Sequence, residues 1–300
     1  AGKTELVFAV IRHALSLGQT VGFAIPRRDV VIELHKRLIS AFPMVKVNAV
    51  YGAHHCELDG DIIILTTHQL FRYPHYFDLL ILDEIDAFPY KDNPLLHTMF
   101  LRSVRGHYIL LSATPDQKTM TEISKNGRIF QLFSRFHQQK LPEPIVQKSY
   151  YIARFFILCL TLKRFIKAKK PVFVFVPTID LCESLFAQLK WVFKSGNYVH
   201  SKRDHRPDII EDFRQGKYVF LVTTAVLERG VTVASLQVII YQADHRLYTK
   251  DALIQISGRV GRKLKDPFGE VIWIAEKKTL AMQEAQDAII YANQTLSTVS

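Results

Sequence analysis

An apolar run, Leu79-Leu-Ile-Leu82, ends in three carboxylates within four residues: Asp83, Glu84 and Asp86. In an open α/β sheet, ligands bind beyond the carboxyl ends of the strands. Carboxylates there suit phosphoryl transfer, with Asp83 holding Mg²⁺ and Glu84 polarising the attacking water. Taken alone, D-E-x-D reads first as an ordinary acidic loop capping the next helix. A second signal opens the chain. Gly2-Lys3-Thr4 matches the last three residues of a phosphate-binding loop, G-x-x-x-x-G-K-[ST]. The first glycine and most of that loop would lie upstream of Ala1, so a truncated loop is expected. In that reading Lys3 meets the β- and γ-phosphates, and Thr4 shares the metal with Asp83.

Two further segments could serve the same chemistry. Ser112-Ala-Thr114 follows the apolar run Tyr108–Leu111. The hydroxyls of Ser112 and Thr114 could bond to the acidic segment around Asp86 and sense the γ-phosphate. A Ser-Ala-Thr turn before Pro115 is also a plain turn. Farther on comes Gln255-Ile-Ser-Gly258-Arg259-Val-Gly261-Arg262. A helix is expected from Lys250 to about Gly261, which would put Arg259 and Arg262 on one face. Arginines so placed neutralise charge in phosphoryl transfer. A basic helix touching solvent or nucleic-acid phosphate is the other reading.

Alternating strand and helix patterns must position these residues. Strands are expected over Thr20–Ile25, Val45–Tyr51, Asp61–Thr67, Leu79–Leu82 and Tyr108–Ser112, with a helix over Glu5–Leu17 stopped by Gly18. Runs that are apolar on successive residues fit parallel strands covered on both faces. The pattern breaks at Leu141-Pro-Glu-Pro144, an extended connector. It then restarts with a buried helix about Phe155–Lys169 and four more strands, at Val172–Val176, Tyr198–His200, Val219–Thr223 and Gln237–Gln242. A last strand, Glu270–Ala275, and a helix from Lys278 close the chain. The expected fold is α/β: two tandem domains, 1–145 and 146–300, each a mostly parallel sheet flanked by helices.

The formal net charge of +11 suggests a polyanionic partner, nucleic acid first and an anionic membrane surface second. The three cysteines, Cys56, Cys159 and Cys182, are odd in number and widely spaced. They indicate neither a disulfide framework nor a metal knuckle, which fits a reducing cytosol. His54-His55 beside Cys56 is read as a surface loop. The aromatic residues Tyr151, Phe155 and Phe156 are read as core packing.

In the order G-K-T, D-E-x-D, S-A-T and Q-x-x-G-R-x-G-R, the chain resembles superfamily 2 helicase-like motors with two RecA-like domains. Pro26-Arg27-Arg28-Asp29, Thr66-Thr67-His68-Gln69-Leu70, Pro177-Thr178 and Thr223–Val231 sit where that family has its remaining motifs. "DEIDAFPY" at Asp83–Tyr90, with "PRRDV" and "TTAVLERGVTV", resembles the ComFA family of late-competence ATPases of DNA-transforming Gram-positive bacteria. The resemblance implies ATP and Mg²⁺, and a motor driving incoming single-stranded DNA. By it, Gly2, Lys3, Thr4, Asp83 and Gly230 bind nucleotide, and Glu84, Gln255, Arg259 and Arg262 act on it. Asp86, Ser112 and Thr114 couple the two activities. Arg27, Thr66, His68, Thr178 and Thr223 contact DNA. It also implies ComFC-like and DNA-protecting competence partners, and a cytoplasmic location, peripheral at the inner face of the membrane. A zinc site is expected only in a segment before the phosphate loop, outside this chain. Two alternatives stay open: a non-catalytic DNA- or partner-binding fragment, and an RNA or replication-restart helicase of the same superfamily.

Overall fold

The structure is a computed structural model. It describes residues 3–52, 54–55, 57–86, 88–112, 115, 117–130, 140–227, 231, 233–261 and 268–297. Contacts gather the chain into two compact units that part near residue 131.

The first unit runs α1 (Lys3–Ser16), β1 (Val21–Ile25), α2 (Arg28–Ala41), β2 (Val47–Tyr51), β3 (His54–His55), β4 (Ile62–Thr66), a 3₁₀ segment (Thr67–Arg72), β5 (Phe77–Leu82), α3 (Pro94–Ser103), β6 (Val104–Leu110) and α4 (Gln117–Asn126). Its sheet order is β3-β2-β4-β1-β5-β6, parallel except where β3 turns back on β2. His54 and His55 therefore form a short edge strand rather than the loop read from sequence.

Successive apolar residues are explained by burial on both faces. Phe23, Ile25, Ile62, Ile64 and Ile81 pack with Val7 and Ile11 of α1 and Val31 and Leu34 of α2. The alternate residues Ala24, Ile63, Leu65, Leu80 and Leu82 pack under Leu70, Leu96 and Phe100. Side chains alternate across a strand, so an amphipathic helix on each side demands an apolar residue at every position. α1 ends where Gly18 takes a left-handed φ of 69°, with Gly18 N donating to Leu15 O and Gln19 N to Ala14 O.

The second unit runs β7 (Ile145–Lys148), α5 (Tyr151–Lys167), β8 (Val172–Phe175), α6 (Ile179–Val192), β9 (Gly196–Val199), α7 (Arg206–Arg214), β10 (Phe220–Thr223), a 3₁₀ turn (Ala225–Leu227), β11 (Gln237–Tyr241), α8 (Lys250–Ser257), β12 (Val271–Ala275) and α9 (Leu280–Ser297). Its sheet is wholly parallel among the described residues, in the order β7-β12-β11-β8-β10-β9. Phe173, Phe175, Ile240 and Trp273 face one core, and Val174, Val222, Ile239 and Ile274 the other. The connector at 140–144 is held by α9. Asn293 accepts from Leu141 N, donates to Leu141 O and Glu143 Oε1, and Gln286 donates to Pro144 O.

Two local expectations are corrected. α5 is buried on one face only: Leu158, Leu162 and Phe165 are covered, while Phe156 and Leu160 stand in solvent. Helix α8 stops at Ser257, and Gly258 is its C-terminal cap. Residues 258–261 are turns, and Gly261 takes φ 69°. The helix-face argument for Arg259 and Arg262 therefore fails.

Candidate active site

The first unit brings its chemical residues to one edge. Parallel register pairs Ile25 with Thr66, Ala24 with Leu82, and Leu82 with Leu110. The carboxyl ends of β4, β1, β5 and β6 thus coincide. Everything that follows those strands lies along that edge: Arg27 after β1, His68 after β4, Asp83 to Asp86 after β5, and Ser112 after β6. Helix α1 is joined to the amino end of β1 by the Gly18 turn, and packs back along it through Val7 and Ile11. Its first residues, Lys3 and Thr4, therefore start at the same carboxyl edge. A helix N-terminus presents backbone N–H groups and partial positive charge to an anion. Gly2 lies outside the described residues.

Backbone bonds to the neighbouring strand ends help to shape the acidic turn. Asp83 N donates to Ala24 O of β1, Ile85 N to Leu111 O, and Leu111 N to Leu82 O. Between them Glu84 adopts φ 59°, the left-handed region that a residue with a side chain seldom occupies. Glu84 N donates to Asp83 Oδ1 at 2.8 Å. Such a conformation persists only where surrounding contacts over-determine it, and it concentrates at functional sites. The Ser112 hydroxyl donates to Asp86 Oδ1 at 3.0 Å. The end of β6 is thereby tied to the acidic turn, the link expected of the Ser-Ala-Thr segment. Thr114 lies outside the described residues.

Asp83, Glu84 and Asp86 are half-buried and supply hard oxygen donors of the kind Mg²⁺ takes. No cluster of three or more metal-ligating side chains occurs among the described residues. Mg²⁺ in nucleotide sites is held by one or two carboxylates plus phosphates, so the donor set at Asp83 fits it.

The residues read as DNA contacts divide into two kinds. Arg27 is half-exposed at the start of α2, and His68 is exposed in the 3₁₀ segment. Thr66 is buried, because β2 and β1 flank the end of β4. In the second unit Thr178 is half-exposed and caps α6, accepting from Leu181 N. Thr223 is wholly buried between β8 and β9, and its hydroxyl donates to Thr224 O. A strand laid on the surface reaches neither Thr66 nor Thr223. Their neighbours His68 and Thr224 are accessible instead.

Gln255 is half-exposed on α8. Arg259 is only 2% exposed, and its Nη1 donates to Val231 O at 2.9 Å. Its guanidinium thus braces the loop after β10 from within. Gly230 and Arg262 lie outside the described residues.

Sequence reading missed two clusters on the carboxyl side of the second sheet. Arg154 of α5 is buried and reaches Glu276 Oε2 at 2.8 Å and Asp244 Oδ2 at 3.6 Å. Asp244 also accepts from the backbone N–H groups of Glu276 and Lys277, just beyond β12. After β9, Arg203 lies 3.8 Å over the Tyr198 ring, and His200 stacks on that ring while bonding Glu183 at 3.0 Å. Only the basic run Lys202-Arg203 directly after a strand could have flagged the second cluster. The described cysteines carry no such chemistry. Cys159 and Cys182 are free thiols, and burial pushes Cys182 up to about 12. Cys56 lies outside the described residues.

Comparison with known proteins decides the family. Residues 156–263 match the helicase conserved C-terminal domain. The whole chain is 35% identical to the competence protein ComFA of Bacillus subtilis, spanning 67% of it. It is 34% identical to ComFA of Streptococcus pneumoniae over 98% of this chain and 71% of that one. The chain belongs to the ComFA family. Among solved structures, a Mycobacterium smegmatis helicase Lhr bound to ssDNA and AMP-PNP superposes with a TM-score of 0.69 at 15% identity, covering 90% of this chain and 42% of that one. That likeness carries the fold: two RecA-like units of the helicase kind. A ComFA-family chain is thus a helicase-like motor protein of competence. Among the described residues, no helix is long and apolar enough to cross a membrane.

Proposed function

We propose that this chain is the core of an ATP-driven translocase moving single-stranded DNA during uptake in natural transformation. The observation that carries the reading is the Ser112–Asp86 bond beside a strained Glu84, at the edge where α1 starts. It supports reading that sheet end as an acid turn toward nucleotide with a mechanical link out of it.

In this reading Lys3 holds the β- and γ-phosphates, and Thr4 with Asp83 holds Mg²⁺. The bound metal neutralises charge on the phosphates. Glu84 orients the attacking water. Gln255 and Arg262 act on the γ-phosphate and Gly230 on the nucleotide, while Arg259 braces the loop after β10 through Val231 O. Asp86, Ser112 and Thr114 pass the change to the strand-end loops. Arg27, His68, Thr178 and Thr224 grip phosphates, with Thr66 and Thr223 supporting them from beneath, so little sequence preference is needed. ComFC-like and DNA-protecting competence proteins are the proposed partners, at the cytoplasmic face of the membrane.

The test is ATP turnover by the complete protein with single-stranded DNA, duplex DNA or RNA. Stimulation by single-stranded DNA above the other two is expected. Binding should fall steeply with salt, because counterion release carries much of the free energy. Turnover indifferent to all three polymers would end the reading.

A further inference from the structure

We propose that the outer face of helices α5 and α6 is a docking surface for an anionic lipid bilayer. The proposal rests on the membrane location proposed above and names the surface that would make it.

The two helices cover one face of the second sheet. α5 lies over β11 and β12, and α6 over β9 and β10. Leu158 and Leu162 of α5 and Leu185 and Leu189 of α6 share one core with Val174 and Ile239. Each helix follows one parallel strand and precedes another, so both run toward the amino edge of the sheet.

On the side of α5 opposite that core, Ile152, Phe156 and Leu160 recur at every fourth residue. They are 81%, 65% and 68% exposed. The same line continues into Lys163 and Lys167, both exposed. α5 carries no acidic residue. At the end of α6, Trp191 is 92% exposed, and Lys190 and Lys194 on either side of it in sequence are exposed too. The acidic residues of α6, Asp180 and Glu183, stand in its first turns, at the other end, and Glu183 bonds His200. Glu270, near α5, is taken by Arg164 at 2.7 Å. Single exposed apolar residues are ordinary, but three in line on one helix form a patch.

The occupant must be apolar and anionic at once. Nucleic acid suits the lysines, yet its charged backbone gains nothing from the aliphatic Ile152 and Leu160. A second copy of this chain would set lysine against lysine. An anionic bilayer meets both demands. Acyl chains take Ile152, Phe156 and Leu160, and headgroups take the lysines, whose stems lie along apolar surface. An indole such as that of Trp191 suits the boundary between them. The lysines gather toward the amino edge of the sheet, whereas the proposed strand contacts lie at its carboxyl edge.

The experiment measures binding of the complete protein to two kinds of vesicle: phosphatidylcholine alone, and phosphatidylcholine with an equal part of phosphatidylglycerol. The mixed vesicles should bind more tightly, by about five-fold for each lysine at the surface. Phe156→Ser combined with Leu160→Ser should weaken that binding at least about ten-fold. Vesicle-free ATP turnover should stay unchanged, because neither side chain is in the core. Lys163→Gln combined with Lys167→Gln should cost about 25-fold on mixed vesicles and nothing on neutral ones. If the serine variant binds mixed vesicles as the wild type does, this surface is wrong and the membrane location stands. Loss of single-strand binding in place of vesicle binding would give the face to nucleic acid. A dimer that Phe156→Ser breaks up would give it to a second copy. Either result overturns the proposal. If the wild type binds neither vesicle, the membrane location falls with it, while ATP turnover tests the motor reading separately.

Discussion

The Arg259 guanidinium donates to the Val231 carbonyl at 2.9 Å, tying the turn after α8 to the loop after β10. A buried cation bonded to a backbone carbonyl has a structural role that a solvent-facing phosphate contact lacks. Replacing Arg259 by Ala should therefore lower the stability of the second unit by about 1.5–3 kcal/mol, the usual worth of a hydrogen bond to a charged group. Urea unfolding measures it. An unchanged midpoint would show that Arg259 is free to serve phosphate alone.

Ser112 offers a cleaner separation, because only one hydroxyl is removed. Ser112→Ala should reduce single-strand-stimulated ATP turnover, whereas Ser112→Thr, which keeps the donor to Asp86, should retain most of it. The stability cost of losing the bond is about 0.5–1.5 kcal/mol. Equal turnover in the two variants would remove Ser112 from the coupling route.

At the opposite edge of the same sheet, the Arg105 guanidinium grips Asp78 with two hydrogen bonds, 2.7 and 2.6 Å. Together with N–H and hydroxyl donation from Thr20, this holds the Asp78 carboxyl at about 2, below its ordinary 3.8. A carboxyl depressed on folding contributes stability that is fully present above its unfolded value and is lost as pH falls through its folded value. The stability gap between wild type and Asp78→Asn should therefore be constant above about pH 5 and shrink toward pH 2. Thermal midpoints across that window measure it, and a gap that widens on acidification would contradict the assignment.

Gly196 opens β9 with the Phe220 ring directly over its α-carbon, and an added Cβ would lie 2.1 Å from Phe220 Cζ. Phe220 is fully buried and has no room to withdraw. Gly196→Ala should cost about 1–3 kcal/mol, the usual penalty of overpacking. A larger share of that loss should be recovered by pairing it with Phe220→Leu than by pairing it with a distant core substitution.

Much of this protein was legible in the sequence because the signals are periodic. Runs such as Ile62–Leu65 and Leu79–Leu82 are apolar on successive residues only when both faces of a sheet are covered, and that alone implies parallel strands between helices. The acidic segment was legible as well, since a strand that ends in carboxylates puts them at the ligand edge whatever its neighbours are. Glu84's left-handed backbone was not, because it depends on bonds from Asp83 to β1 and from Ile85 to Leu111, just beyond β6. The end of α8 at Ser257 was misjudged. Helix periodicity continues through Val260, but the turn at Gly258 lets Arg259 enter the core. β7 was missed because Ile145–Lys148 has no strand pattern of its own and becomes a strand by pairing with β12.

The sequence by itself determined which residue types stand at which strand ends, because local periodicity and spacing are properties of the chain. Only the tertiary structure decided which of them meet solvent and which are enclosed. Thr66, Thr223 and Arg259 went inside while Phe88 stayed out, because burial depends on the strands and helices that arrive from elsewhere in the chain.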